Sequence, residues 1–124
     1  MSLHGFLTMA QKMAYKSTYK QKVGCVIVSG GRVISKGYNS VAHKSRGKKF
    51  AKWECSICAE RHAASKVRDK SAMKGATIYV SRWNSFGPAM ACPCSHCMEL
   101  IEFLGIKKIV FSRVEYPYYG VVKL

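Results

Sequence analysis

Val23-Gly24-Cys25-Val26-Ile27-Val28-Ser29-Gly30-Gly31-Arg32-Val33-Ile34-Ser35-Lys36-Gly37-Tyr38 is the stretch whose reading decides the fold. Residues 23–28 are apolar and largely β-branched, Ser29-Gly30-Gly31 supplies turn residues, and residues 32–38 resume with Val33 and Ile34. Two such runs about a two-glycine turn predict a β-hairpin. Upstream, Leu3, Phe6, Leu7, Ala10, Met13 and Ala14 recur at helical spacing. Lys12, Lys16 and Lys20 fall at i, i+4 and i+8 on another face, so the chain should open with an amphipathic helix.

Downstream, residues 39–57 hold no period and crowd Lys44, Arg46, Lys48, Lys49 and Lys52 into one basic loop. Residues 58–68 have helix-forming composition, with Ala59, Ala63, Ala64 and Val67 available for packing. Thr77-Ile78-Tyr79-Val80 reads as a buried strand, and residues 81–92, with Gly87 and Pro88, as a loop. Pro93 suits the first turn of a helix, Cys97, Leu100, Ile101 and Leu104 mark its apolar face, and Gly105 is placed to end it. Lys107-Lys108-Ile109-Val110-Phe111 is the last expected strand, before an aromatic tail, Tyr116-Pro117-Tyr118-Tyr119. The order α-β-β-α-β-α-β predicts a three-layer α/β/α sandwich with a mixed sheet, the hairpin giving an antiparallel edge to otherwise parallel strands.

The chain has 124 residues, which suits a single domain over residues 1–124, and 48% hydrophobic with 22% charged residues excludes wholesale disorder. Its apolar runs fall far short of the roughly 20 residues a membrane helix needs. Residues 5–10 are too short for a signal-peptide core and follow no basic residue, so a cytoplasmic protein without a membrane partner is expected. Charge is uneven. The formal net charge is +15, and residues 1–53 contribute nine Lys and two Arg with no Asp or Glu. Such a field attracts phosphates of nucleotides or of nucleic acid, and solubility is its plainer use.

Five of the six cysteines fall in two clusters, Cys55/Cys58 and Cys92/Cys94/Cys97, a pattern that in a cytosolic protein favours metal over disulfides. Cys94 and Cys97, at i and i+3 in a first helical turn, can direct both sulfurs to one ion, and Cys58 at the start of the other helix can supply a third. Three protein ligands leave a position open for water. Glu60, off the helix face of Cys58, suits a place beside the metal better than a fourth ligand position.

Cys58-Ala59-Glu60 together with Pro93-Cys94-Ser95-His96-Cys97 resembles the cytidine and deoxycytidylate deaminase superfamily, whose pattern is H-x-E followed by P-C-x-x-C. The resemblance extends from the first helix to the Ile109 strand. It implies a cytidine deaminase-like fold, Zn²⁺ held by Cys58, Cys94 and Cys97, and Glu60 as the acid/base that moves protons during attack of water on C4 of a pyrimidine. Asn39 in Gly37-Tyr38-Asn39, which matches the family's G-Y-N, and Ala59 would contact the substrate. Cys58 replaces the histidine typical of deoxycytidylate and polynucleotide members and is similar to enzymes of free cytidine. Three thiolates around a divalent ion leave one net negative charge, and the run Cys58-Ala59-Glu60-Arg61 implies that Arg61 offsets it from behind the ligands. The expected activity is deamination of a cytosine nucleoside or nucleotide by a homo-oligomer.

Other readings stand beside it. Cys55-x-x-Cys58 with Cys94-x-x-Cys97 could form a purely structural zinc ribbon, in which Cys55 is essential and Glu60 idle; the 35 residues between Cys58 and Cys94 exceed the usual spacing. The basic charge also fits a deaminase of single-stranded DNA or RNA, or a zinc-stapled nucleic-acid binder without catalysis. Cys25 reads as a small buried hydrophobe, His62 and His96 as neighbours of ligands, and Trp83, Phe86 and the tail tyrosines as stacking or packing groups.

Overall fold

The computed structural model describes residues 3–17, 21–41, 56–84, 87–91 and 95–124. The expected basic loop 44–52, Cys55, Phe86, Cys92, Pro93 and Cys94 therefore lie outside the described residues.

The hairpin forms as expected: β1 (Lys22–Ser29) pairs antiparallel with β2 (Arg32–Tyr38), and Gly30 and Gly31 take positive φ at the turn. β1 is buried along most of its length, whereas Arg32 and Lys36 of β2 face solvent. An apolar run belongs inside a sheet and an alternating one at its edge. β1 accordingly takes β5 (Thr77–Asn84) as its second neighbour, and β2 ends the sheet.

The sheet order is β2-β1-β5-β7-β8, with β7 at Lys108–Ser112, β8 at Tyr119–Lys123, and the short β6 (Gly87–Ala89) paired to β5. Two departures from the sequence reading appear here. First, only β5 and β7 run parallel; β1–β5 and β7–β8 are antiparallel, so the sheet is mixed but not otherwise parallel. Placing β1 rather than β2 beside β5 reverses that pairing. Second, the aromatic tail leads into β8, and residues 81–92 are not all loop: β5 continues to Asn84 and turns back as β6. Two further strands, β3 (Ser40–Val41) and β4 (Ser56–Ile57), pair with each other.

Strand alternation divides the core. Val26, Val28, Tyr79 and Val110 meet Phe6, Ala10 and Met13 of α1 (Leu3–Ala14). Cys25, Ile27, Ile78, Val80, Ile109 and Phe111 face the other way, toward Ala59, Ala63 and Ala64 of α2 (Ala59–Ser65) and Ile101 of α3 (Ser95–Phe103). α2 is shorter than the predicted 58–68 and is followed by a 3₁₀ turn, Lys70–Met73, whose Asp69 cap accepts from Ser71 N. One helix above the sheet and two below make the three layers. No described helix is long and apolar enough to cross a membrane.

Candidate active site

α2 can reach the sheet closely because β2 carries a glycine beneath it. A Cβ at Gly37 would lie 2.5 Å from Ala63 N and 2.7 Å from Ala59 O. Ser35 on the same strand donates to Ala63 O at 2.6 Å. Small residues on both sides thus bring the first turn of α2 down onto the hairpin.

Cys58 is the N-cap of α2, with extended backbone (φ −65°, ψ 148°) and no capping bond through its side chain. Glu60, in the first turn, is only 6% exposed, and Cys97, in the first turn of α3, is 3% exposed. The two sulfurs and a Glu60 carboxylate oxygen all lie within 4.8 Å of one another. The helix starts therefore face each other, as the spacing required. None of the three described cysteines, Cys25, Cys58 and Cys97, is in a disulfide. Two thiols and a carboxylate converging from facing helices fit zinc, a borderline-soft ion that takes sulfur and oxygen donors. Cys94, the remaining expected ligand, lies outside the described residues. Glu60, which a structural ribbon would leave idle, is part of the cluster.

Burial pushes the Glu60 carboxyl up from the ordinary range. A hydrogen bond from its own backbone amide, another from Cys97, and the positive charge of Arg82 pull it partly back. Beneath it lies Cys25 of β1, fully buried as expected; burial and then the Glu60 charge hold it as a thiol, well above its usual pKa.

Asn39, just past β2, is tied to β1: its Oδ1 accepts from Val23 N and its Nδ2 donates to Gln21 O, both at 2.9 Å. Ala59 is buried at the first position of α2, and Arg61 is exposed. His62 turns from the sulfurs to β2, with Nδ1 3.1 Å from both the N and the O of Tyr38. Burial and Lys66 lower its pKa. Trp83 lies on the α1 side, donating from Nε1 to Ser81 Oγ and packing edge-on against Tyr15, so it serves the reverse face. Sequence reasoning passed over Arg82. The alternation Ile78, Val80, Arg82 was the signal for it, hidden by the assumption that the strand stops at Val80.

A profile of the cytidine and deoxycytidylate deaminase zinc-binding region matches residues 1–113. The chain belongs to the cytidine and deoxycytidylate deaminase family. Zinc is the metal of this family, and the Cys58 and Cys97 sulfurs are positioned to bind such an ion with the Glu60 carboxylate beside them. A deoxycytidylate deaminase of Schizosaccharomyces pombe is 31% identical over 115 residues, 86% of this chain and 35% of the relative. The riboflavin biosynthesis protein RibD of Synechocystis is 30% identical over 115 residues, 88% of this chain and 25% of the relative. This deaminase chain thus spans only about a third or a quarter of those proteins. The crystal structure of a cytidine deaminase from Burkholderia pseudomallei superposes with a TM-score of 0.72 at 22% identity, over 99% of this chain and 93% of that one, which establishes the shared fold.

Proposed function

We propose that the protein hydrolytically deaminates a free cytosine nucleoside or nucleotide to the uracil compound and ammonia, with residues 1–124 acting as one catalytic unit. The observation that carries this reading is the Glu60 carboxylate, buried within 4.8 Å of the Cys58 and Cys97 sulfurs. Zinc held by Cys58, Cys97 and Cys94 would supply the Lewis acidity that makes water nucleophilic near neutral pH.

The remaining work falls to the chain. As C4–O forms, Glu60 takes one proton from water and delivers it to ring N3; it then takes the second from the C4 hydroxyl and gives it to the departing amine, so that the C4 carbonyl forms as C4–N breaks and ammonia leaves. Burial raises the pKa of this carboxyl, so it holds a proton taken from water more firmly than an exposed carboxyl would, which suits a group that must carry it from one atom to the next. Asn39 is clamped by one N–H and one lone pair, which leaves one of each for a sugar hydroxyl. The backbone amide of Ala59 would meet the pyrimidine carbonyl, and Arg61 would offset the negative charge of the thiolate set. The same reading has a homo-oligomer working in the cytoplasm.

The deoxycytidylate deaminase relative favours a nucleotide among the cytosine compounds. The comparable RibD match supports a second reading, with the substrate belonging to riboflavin biosynthesis. An ammonia-release assay of zinc-loaded protein separates these outcomes across cytidine, deoxycytidine, CMP, dCMP, adenosine, a cytosine-containing oligonucleotide and the aminopyrimidine substrate of RibD. Release from a free cytosine nucleoside or nucleotide is expected. Release from the RibD substrate alone, from the oligonucleotide alone, or from none would overturn the first reading.

A further inference from the structure

β5 outruns its parallel partner. Its register with β7 ends at Val80↔Phe111, and the next residue on the α2/α3 side is Arg82, paired instead to Ala89 of β6. Arg82 is thereby carried past the carboxyl ends of the parallel pair, where open α/β sheets bind ligands.

Its backbone is pinned there. Ser112 Oγ, at the end of β7, accepts from Arg82 N at 3.0 Å and donates to Ala89 O at 2.7 Å. Arg82 is half-buried; its guanidinium donates through Nη1 to Met90 O at 3.4 Å, and its positive charge lowers the pKa of the Glu60 carboxyl against the effect of burial. Its Nε is buried and meets no acceptor among the described residues. Among the described residues the one ion pair is Arg113–Glu115, so no described carboxylate bridges to Arg82. The edge formed by Nε and Nη2 of a guanidinium matches two oxygens of a phosphate or carboxylate, and burying a charged donor without an acceptor is costly. A guanidinium edge left open in this way, at the carboxyl end of the parallel pair, suits an anionic group.

We propose that Arg82 binds the phosphate of a nucleoside 5′-monophosphate and so makes the protein select nucleotides over nucleosides. This rests on the deaminase reading above but is tested by binding as well as by turnover.

The experiment is calorimetric titration of zinc-loaded wild type, Arg82→Gln and Arg82→Lys with dUMP and with deoxyuridine. Wild type should bind dUMP more tightly than deoxyuridine. Arg82→Gln should lose roughly ten- to hundred-fold in dUMP affinity, as expected for charge-assisted hydrogen bonds, while deoxyuridine binding stays within about two-fold. Arg82→Lys keeps the charge without the paired edge and should lose about three-fold or more, again for dUMP alone. Should Arg82→Gln fail to fold, the lysine variant decides. Equal binding of both ligands by wild type, parallel weakening of both in the variants, or unchanged dUMP binding by the lysine variant would overturn the proposal. A protein that releases no ammonia from any cytosine compound, yet shows the dUMP preference and loses it in Arg82→Gln, would lose the deaminase reading and keep this one.

Discussion

The two faces of the central sheet are built from the same strands and do different work. Toward α1, Val26, Val28, Tyr79 and Val110 meet Phe6, Ala10 and Met13 in an ordinary apolar layer. Toward α2 and α3, the alternate residues of those strands meet Ala59, Ala63 and Ala64 of α2 and Ile101 of α3, and Cys58, Glu60 and Cys97 gather at the starts of these two helices. Each face takes its helix over one glycine: a Cβ at Gly24 would lie 2.0 Å from Ala10 O of α1, and one at Gly37 2.5 Å from Ala63 N of α2. Close packing is therefore common to both faces, and the buried carboxylate with its sulfurs is what sets one apart. The difference teaches that small residues of α2 bring the reactive groups onto the sheet, while apolar cores on both faces supply stability.

Breaking the two glycine seats should have the largest effect. Gly24→Ala and Gly37→Ala each force a backbone shift and should cost about 3 kcal/mol or more, at or above the top of the usual overpacking range. Denaturant melts measure this. Assayed where both variants remain folded, only Gly37→Ala should lose about ten-fold or more of activity, because it displaces the turn carrying Glu60. Equal activity losses would erase the distinction between the faces.

A smaller effect is expected from Asn39→Ala, which removes the partners of Val23 N on β1 and of the exposed Gln21 O just before it. Water can replace the bond to Gln21, whereas the half-buried Val23 N–H loses its acceptor at a cost of about 1–3 kcal/mol at most, which should appear in a urea melt. A melt identical to wild type would show that water replaces the clamp.

The mildest effect concerns His62, whose depressed pKa means that the unfolded chain binds its proton more readily than the folded one. The stability this provides is complete above the ordinary value of 6.5 and is lost as pH falls through it. Melting temperature followed from pH 8 to about pH 5 should thus drop less steeply in His62→Gln than in wild type. Parallel curves would remove the histidine from the account.

Much of this division was legible in the residues. The apolar run 23–28, the glycine turn and the helical period of Leu3 to Ala14 state the hairpin and α1 directly, because each satisfies its own period without help from distant residues. The spacing of Cys58, Glu60 and Cys97 pointed to the cluster for the same reason: each group lies at the N-cap or in the first turn of a helix. β8 was not legible, since Tyr119-Gly120-Val121-Val122-Lys123 is a short run with a glycine inside it, follows a proline-bearing aromatic stretch, and is fixed as a strand by pairing with β7. β6 was hidden by Pro88, which cannot donate to a ladder and reads as a loop residue. Strand direction could have been inferred: the fully apolar β1 belongs inside the sheet and the lysine-bearing β2 at its edge, which sets β1 antiparallel to β5. Arg82 was missed with the extension of β5 that carries it.

The most direct test of the central claim is Glu60→Gln, with ammonia release and zinc content measured on the same preparation. The account predicts a fall in rate of about 10²–10⁴-fold or more at unchanged zinc stoichiometry, because the amide keeps the shape of the side chain but cannot carry a proton. A rate within a few-fold of wild type, or loss of zinc together with activity, would contradict it, the first by making the carboxylate dispensable and the second by making it a ligand.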